Sequence, residues 1–325
     1  MTTSLQKHQL PVWGWVIGGL LFGISLVGCT GSQDADQSGK PKVVATHTIL
    51  QDWTAEVAGD EVELVGILQP GADPHVYEPV PADTLKIERA DLIFYNGYNL
   101  EPGLIKLIES NKKSKVFAVG EVVTPLDYDY DGRREPDPHV WGDAENAIKM
   151  VNAIRDQLIE LSPEDKETFT KNAAEFTQEL AAVDQWITQQ IQTIPAQQRQ
   201  LVTTHDAFQY YAKAYGLTVV GTLIGMSTEE QPSAQTVKRL SDDIRKAKVP
   251  AIFAETTINP ALIKTVAAEA KVKLAEQELY SDSIGAPGTE ADTYIKMLKV
   301  NTRTIVKALG GNYTELQSIL PDEPR

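Results

Sequence analysis

The chain has one cysteine, Cys29, in 325 residues. Without a second thiol it forms no internal disulfide, and a thiolate metal cluster is excluded too. Basic residues are also short. Thirty Lys and Arg stand against 45 Asp and Glu, a net charge of −15. That balance argues against a nucleic-acid partner, which needs a basic face. No uninterrupted apolar run reaches the ~20 residues of a membrane-spanning helix. Residues 12–27 come nearest, and glycines break them. The His-Glu-x-x-His and Gly-x-Ser-x-Gly patterns of zinc and serine hydrolases do not occur. Histidine is scarce, at five, and two of the five stand in the same tripeptide, Asp-Pro-His.

The N-terminus reads as an export leader, residues 1–28. Lys7 and His8 form a weak polar start, an apolar stretch follows, and Leu26-Val27-Gly28-Cys29 closes it. This ending resembles the bacterial lipobox, which implies cleavage before Cys29 and lipidation of its thiol. Thr30 follows, so the aspartate that retains lipoproteins at an inner membrane is missing. Residues 29–41 are polar, with Gly, Ser and Pro, and read as a flexible tether.

From residue 42 onward short apolar runs alternate with helical patterns. Strands are expected at 42–46, 61–68, 91–96 and 115–119, with helices at 49–58, 81–90, 102–111 and 144–161. Residues 120–141 read as a long loop. The same alternation returns after Pro195, with strands at 201–204, 217–223, 250–255 and 273–280, and helices at 206–215, 234–247, 260–270 and 289–309. Such alternation predicts an α/β fold of parallel sheets flanked by helices. Between the halves, residues 162–194 form one apolar stripe: Phe169, Ala173, Phe176, Leu180, Val183, Ile187, Ile191 and Ile194. Spacings of three and four make it a single helix, roughly 45–50 Å long. A coiled-coil half is the alternative; its mid-chain position favours a backbone helix joining two lobes. The expected division is an N-terminal lobe at 42–161, a linking helix at 162–195, a C-terminal lobe at 196–312 and a polar tail at 313–325.

The chemistry converges on four residues. His75, His139, His205 and Asp282 each follow an expected strand, two in each half. Open parallel sheets bind ligands beyond the carboxyl ends of their strands. Proline before His75 and His139 presents each imidazole from a rigid loop. Three imidazoles and a carboxylate make a closed shell for a divalent ion such as zinc, and manganese accepts the same groups. His47 faces the same crevice as a supporting or structural residue. Glu78 and Glu255 are placed to orient ligand imidazoles. Asp127, Asp129 and Asp131 read as a solvated acidic loop, and Tyr210, Tyr211 and Tyr215 as packing of the helix after His205.

GADPHVYEPVPAD, DLIFYNGYNLE, DPHVW, THDAFQYYAKAYG, STEEQPSAQTV, PAIFAETT and YSDSIG together resemble the cluster A-I (cluster 9) metal-receptor family of bacterial ABC importers, of TroA-like fold. The resemblance spans residues 42–310. It implies two α/β lobes joined by one long rigid helix, with a metal held between them. It carries the family's ligand positions to His75, His139, His205 and Asp282. It implies a non-enzymatic receptor that delivers zinc or manganese, as transported ligand, to an ABC permease and its ATPase. The receptor would be tethered through Cys29 at the outer face of the cytoplasmic membrane, as a monomer. Manganese-dedicated members commonly carry glutamate where this chain has His205, which favours zinc. Many zinc receptors carry a histidine-rich loop before the second ligand, and residues 120–138 here contain no histidine, which leaves manganese open. A zinc metallohydrolase, or an adhesion lipoprotein with a metal staple, is the rival class. Catalytic zinc keeps a position open for water, and a staple does not exchange its ion.

Overall fold

The structure, a computed structural model, describes residues 39–130 and 133–316. Cys29, Asp131 and the leader lie outside the described residues. The first sheet has four parallel strands, β1 (Lys42–Ala45), β2 (Glu63–Gly66), β3 (Leu92–Tyr95) and β4 (Lys115–Ala118), in the order β2-β1-β3-β4. The pleat sends alternate side chains to opposite faces. Val43, Ala45, Leu92 and Phe94 pack on one side with α1 (Thr48–Ala58) and α4 (Ala144–Leu161). Val44 and Ile93 pack on the other with α2 (Pro81–Arg89) and α3 (Pro102–Ser110). Both faces are covered, so Val43–Ala45 of β1 and Leu92–Phe94 of β3 are apolar and buried.

The long loop expected before His139 contains a hairpin. Strands β5 (Asp127–Tyr130) and β6 (Arg133–Pro136) pair antiparallel. The sequence carries the signal: Asp-Tyr-Asp-Tyr alternates with period two and is followed by Asp-Gly, a dipeptide that favours hairpin turns.

Helix α5 runs over Lys166–Gln192, 27 residues or ~40 Å. It starts later than the sequence reading. Ser162 closes α4, its N–H donating to Leu158 O, and its hydroxyl bonds Asp165 at 2.6 Å. Proline disfavours helical backbone in the residue before it, so Pro163 breaks the chain into a short 3-10 turn, Pro163–Asp165, before α5 begins. The predicted stripe is buried from Phe169 to Ile194. It packs on α1 and α4 from the first half and on α9 (Tyr294–Ala308) and α6 (Gln209–Tyr215) from the second. One apolar core therefore runs through both halves.

The second half repeats the alternation. Strands β7 (Gln200–Thr203) and β8 (Thr218–Thr222) pair parallel, as do β9 (Ala251–Ile252) and β10 (Lys273–Leu274). Phe253 N–H donates to Val202 O at 2.9 Å and joins the two pairs. Beyond β10 the chain bridges again at Glu255 and Leu279, which delivers Asp282 three residues later. Helices α7 (Ala234–Ala247) and α8 (Ala261–Ala270) cover the outer face.

The start of the polar tail is not free. Thr314 exchanges two bonds with the Gln190 side chain, at 2.8 and 2.9 Å, and accepts from Trp186 Nε1 at 3.0 Å. Tyr313 packs edge-on to Trp186. Polarity alone does not reveal that these groups match Trp186 and Gln190 on α5. Trp186→Ala is expected to cost about 3 kcal/mol. A denaturant melt should show a lower midpoint at unchanged slope.

Candidate metal centre

Each candidate side chain reaches the crevice from the carboxyl end of a strand: His75 after β2, His139 after β4 and the hairpin, His205 after β7, Asp282 after the bridge at Leu279. The repeated Asp-Pro-His has a local physical basis. Asp73 Oδ1 accepts the N–H of His75, and Asp137 Oδ1 that of His139, both at 2.9 Å. The aspartate caps the turn and the proline stiffens it.

The four side chains meet. His75 Nε2 lies 3.2 Å from His139 Nε2. Asp282 reaches His139 Nε2 at 3.5 Å and His205 Nε2 at 3.2 Å. One ligand atom from each residue lies within 4.8 Å of all the others. Tetrahedral zinc with bonds of ~2.0–2.1 Å places its donors ~3.3 Å apart, which the separations of 3.2, 3.5 and 3.2 Å fit. All four are buried, and His205 Nε2 and both Asp282 oxygens are without geometrically acceptable hydrogen bonds. Buried polar atoms left this way are costly, and a cation at their common point would satisfy them.

Carboxylates fix two of the rings. Asp137 Oδ1 lies 2.8 Å from His139 Nδ1. Glu255 accepts the N–H groups of Thr204 and His205 with one oxygen, at 2.8 and 2.9 Å, and bonds His205 Nδ1 with the other. A carboxylate on Nδ1 leaves Nε2 facing the centre. The sequence pointed to Glu255 but not to this role of Asp137. Glu78, the other residue considered for it, is solvent-exposed, whereas the four candidate ligands are buried. Trp141 Nε1 donates to Ser281 O at 2.9 Å and ties the His139 loop to the Asp282 loop. Tyr210 does more than pack its helix: its hydroxyl donates to Asp137 O at 2.9 Å and accepts from Leu126 N at 2.8 Å.

Burial and charge divide the protons. Burial pushes His75 down to about 3, with the other two imidazoles adding to the effect and Asp282 opposing it. Burial alone would lower His205 as well, but Glu255 and Asp282 outweigh it and hold its pKa well above the ordinary value. Burial raises Asp282, yet His205, then His139 and His75, overcome that and hold it well below the usual carboxylate range. The His205 ring thus lies between two carboxylates whose charge favours its protonated form. His47 is buried, tilted against Trp141 with ring centroids 5.5 Å apart, and pushed down to about 3 by burial. It is not one of the four. Asp127 lies exposed on the hairpin, 4.0 Å from Arg134.

Comparison with known proteins gives a consistent answer. Residues 43–308 match the family described as ZnuA, zinc-uptake complex component A, periplasmic. The manganese ABC transporter substrate-binding lipoprotein PsaA of Streptococcus anginosus is 37% identical over 295 residues, 88% of this chain and 95% of that protein. The periplasmic zinc binding protein TroA from Treponema pallidum superposes with a TM-score of 0.79 at 36% identity, over 83% of this chain and 99% of that one. Fe(III)-bound YtgA from Chlamydia trachomatis gives 0.77 at 30% identity, over 85% and 100%. The chain belongs to the ZnuA family, the metal-binding substrate receptors of ABC transporters.

Proposed function

We propose that His75, His139, His205 and Asp282 capture one divalent transition-metal ion, zinc first and manganese second, for delivery to a membrane permease and its ATPase. The observation that carries this is the buried meeting of three imidazoles and one carboxylate with a shared, unsatisfied centre. Three nitrogen donors support zinc, since manganese prefers more oxygen. The relatives' names span manganese, zinc and Fe(III). Four protein donors leave no coordination position for water, which supports a receptor over a hydrolase. In this reading residues 42–161 and 196–312 are the two lobes, and 162–195 links them. The core running through both halves supports local loop movement on binding rather than wide closure. Cys29 carries the lipid that tethers a monomeric receptor to the outer face of the cytoplasmic membrane. An adhesion role at the cell surface is compatible with that tether.

A ligand imidazole must be neutral to bind a metal. His75 has already lost its proton at pH 7. His205 holds its proton more tightly than an ordinary histidine, because Glu255 and Asp282 favour its charged form. Zinc binding is therefore expected to release the proton held on His205. Affinity should fall as pH drops, beginning above the ordinary histidine range. Titration calorimetry in buffers of different ionisation enthalpy counts the protons. Release of none at pH 7 would contradict this account of the site.

A further inference from the structure

The two Asp-Pro-His loops are alike in sequence but differently held. Asp137 turns one oxygen to both the N–H and the ring of its own histidine and is fully buried. Asp73 bonds the N–H of His75 with one oxygen and sends the other across the crevice, where it accepts the Thr228 hydroxyl at 2.6 Å. Thr228 lies 155 residues further along, in the loop before α7. The His75 loop is fastened to the second half at another point: Gly71 N–H donates to Ser283 Oγ at 2.8 Å, beside Asp282. Gly71 sits at φ +83°, a conformation that suits glycine. His75 is also the least enclosed of the four, 4% exposed against 0% for His139 and His205.

We propose that Thr228 is a positioning residue for His75: its hydrogen bond to Asp73 fastens the His75 loop across the crevice and sets how fast a bound ion leaves. The inference rests on reading the four residues as the metal site. With the latch open, the ion loses His75 first. His139 and His205 stay in place, since Asp137 and Glu255 hold their rings. The Gly71–Ser283 bond is a separate fastening that stays when the Thr228 hydroxyl is removed, so the substitution isolates the bond to Asp73.

The test uses the full chain with zinc alone as probe. Release is followed by transfer to a chromogenic chelator in the wild type, Thr228→Val and Thr228→Ser. Valine keeps the shape and removes the hydroxyl; serine restores it. The valine variant is expected to release zinc about tenfold faster, the factor set by one hydrogen bond to a charged acceptor. The serine variant should release near the wild-type rate. Wild-type release from the valine variant overturns the proposal. So does serine releasing as fast as valine. A lower melting temperature of the metal-free valine variant with unchanged release would show a structural bond only and would also overturn it. Failure of the wild type to retain zinc overturns the metal-site reading instead, and is seen before any variant is compared.

Discussion

Asp282→Asn is expected to abolish tight metal binding while leaving the fold in place. Asparagine keeps the shape of the side chain, but the single carboxylate of the candidate shell is lost. Changing a residue that only orients a ligand typically costs ~10–100-fold in affinity; a donor change should exceed that. The same substitution removes one of the two anions beside the His205 imidazolium. Breaking a buried ion pair destabilises by about 3 kcal/mol or more, so the metal-free variant should also melt lower at pH 7. The sign with pH follows from the direction of the Asp282 shift. A carboxyl held below its unfolded value contributes stability above that unfolded value and loses it as pH falls through the folded one. The melting difference between wild type and variant should therefore shrink below about pH 4. Zinc titration and thermal melts from pH 3 to 8 read both effects. Near-wild-type zinc affinity would remove Asp282 from the site.

His205→Glu should shift preference from zinc towards manganese, because a second carboxylate adds an oxygen donor. The structure adds a condition. Glu255 already lies against the Nδ1 side of His205, and Asp282 against Nε2. A glutamate between them crowds three carboxylates into one buried space, and one must take a proton. His205→Glu alone is therefore expected to weaken binding of both ions. Combined with Glu255→Gln, it should recover binding and move the zinc-to-manganese ratio by about tenfold, or 1.4 kcal/mol. Competition titrations of both variants measure the ratio. An unchanged ratio in the double variant would take selectivity away from this position.

Much of this was legible in the sequence, for reasons visible residue by residue. Helices Ala144–Leu161 and Ala234–Ala247 lie where the pattern predicted them, because each pairs an apolar face with a clear start. Asp143 and Ser233 cap them through bonds to Glu145 N and Thr236 N. The meeting of the four candidate residues was legible because each follows a strand and two share a rigid tripeptide. The start of α5 was misplaced because Ser162 and Pro163 serve equally as a start signal and as an end signal for the helix before. The bonds of Tyr210 to Asp137, Thr228 to Asp73 and Thr314 to Gln190 join residues 73, 155 and 124 positions apart. No local pattern encodes such pairs. They follow from the way α5 brings the halves together.

The central claim is that three imidazoles and one carboxylate hold one transition-metal ion. It is tested most directly by titrating the metal-free full chain with zinc and manganese in competition at pH 7. The account predicts one tightly bound zinc per chain, which manganese displaces only in large excess. Absence of tight binding by either ion would contradict it.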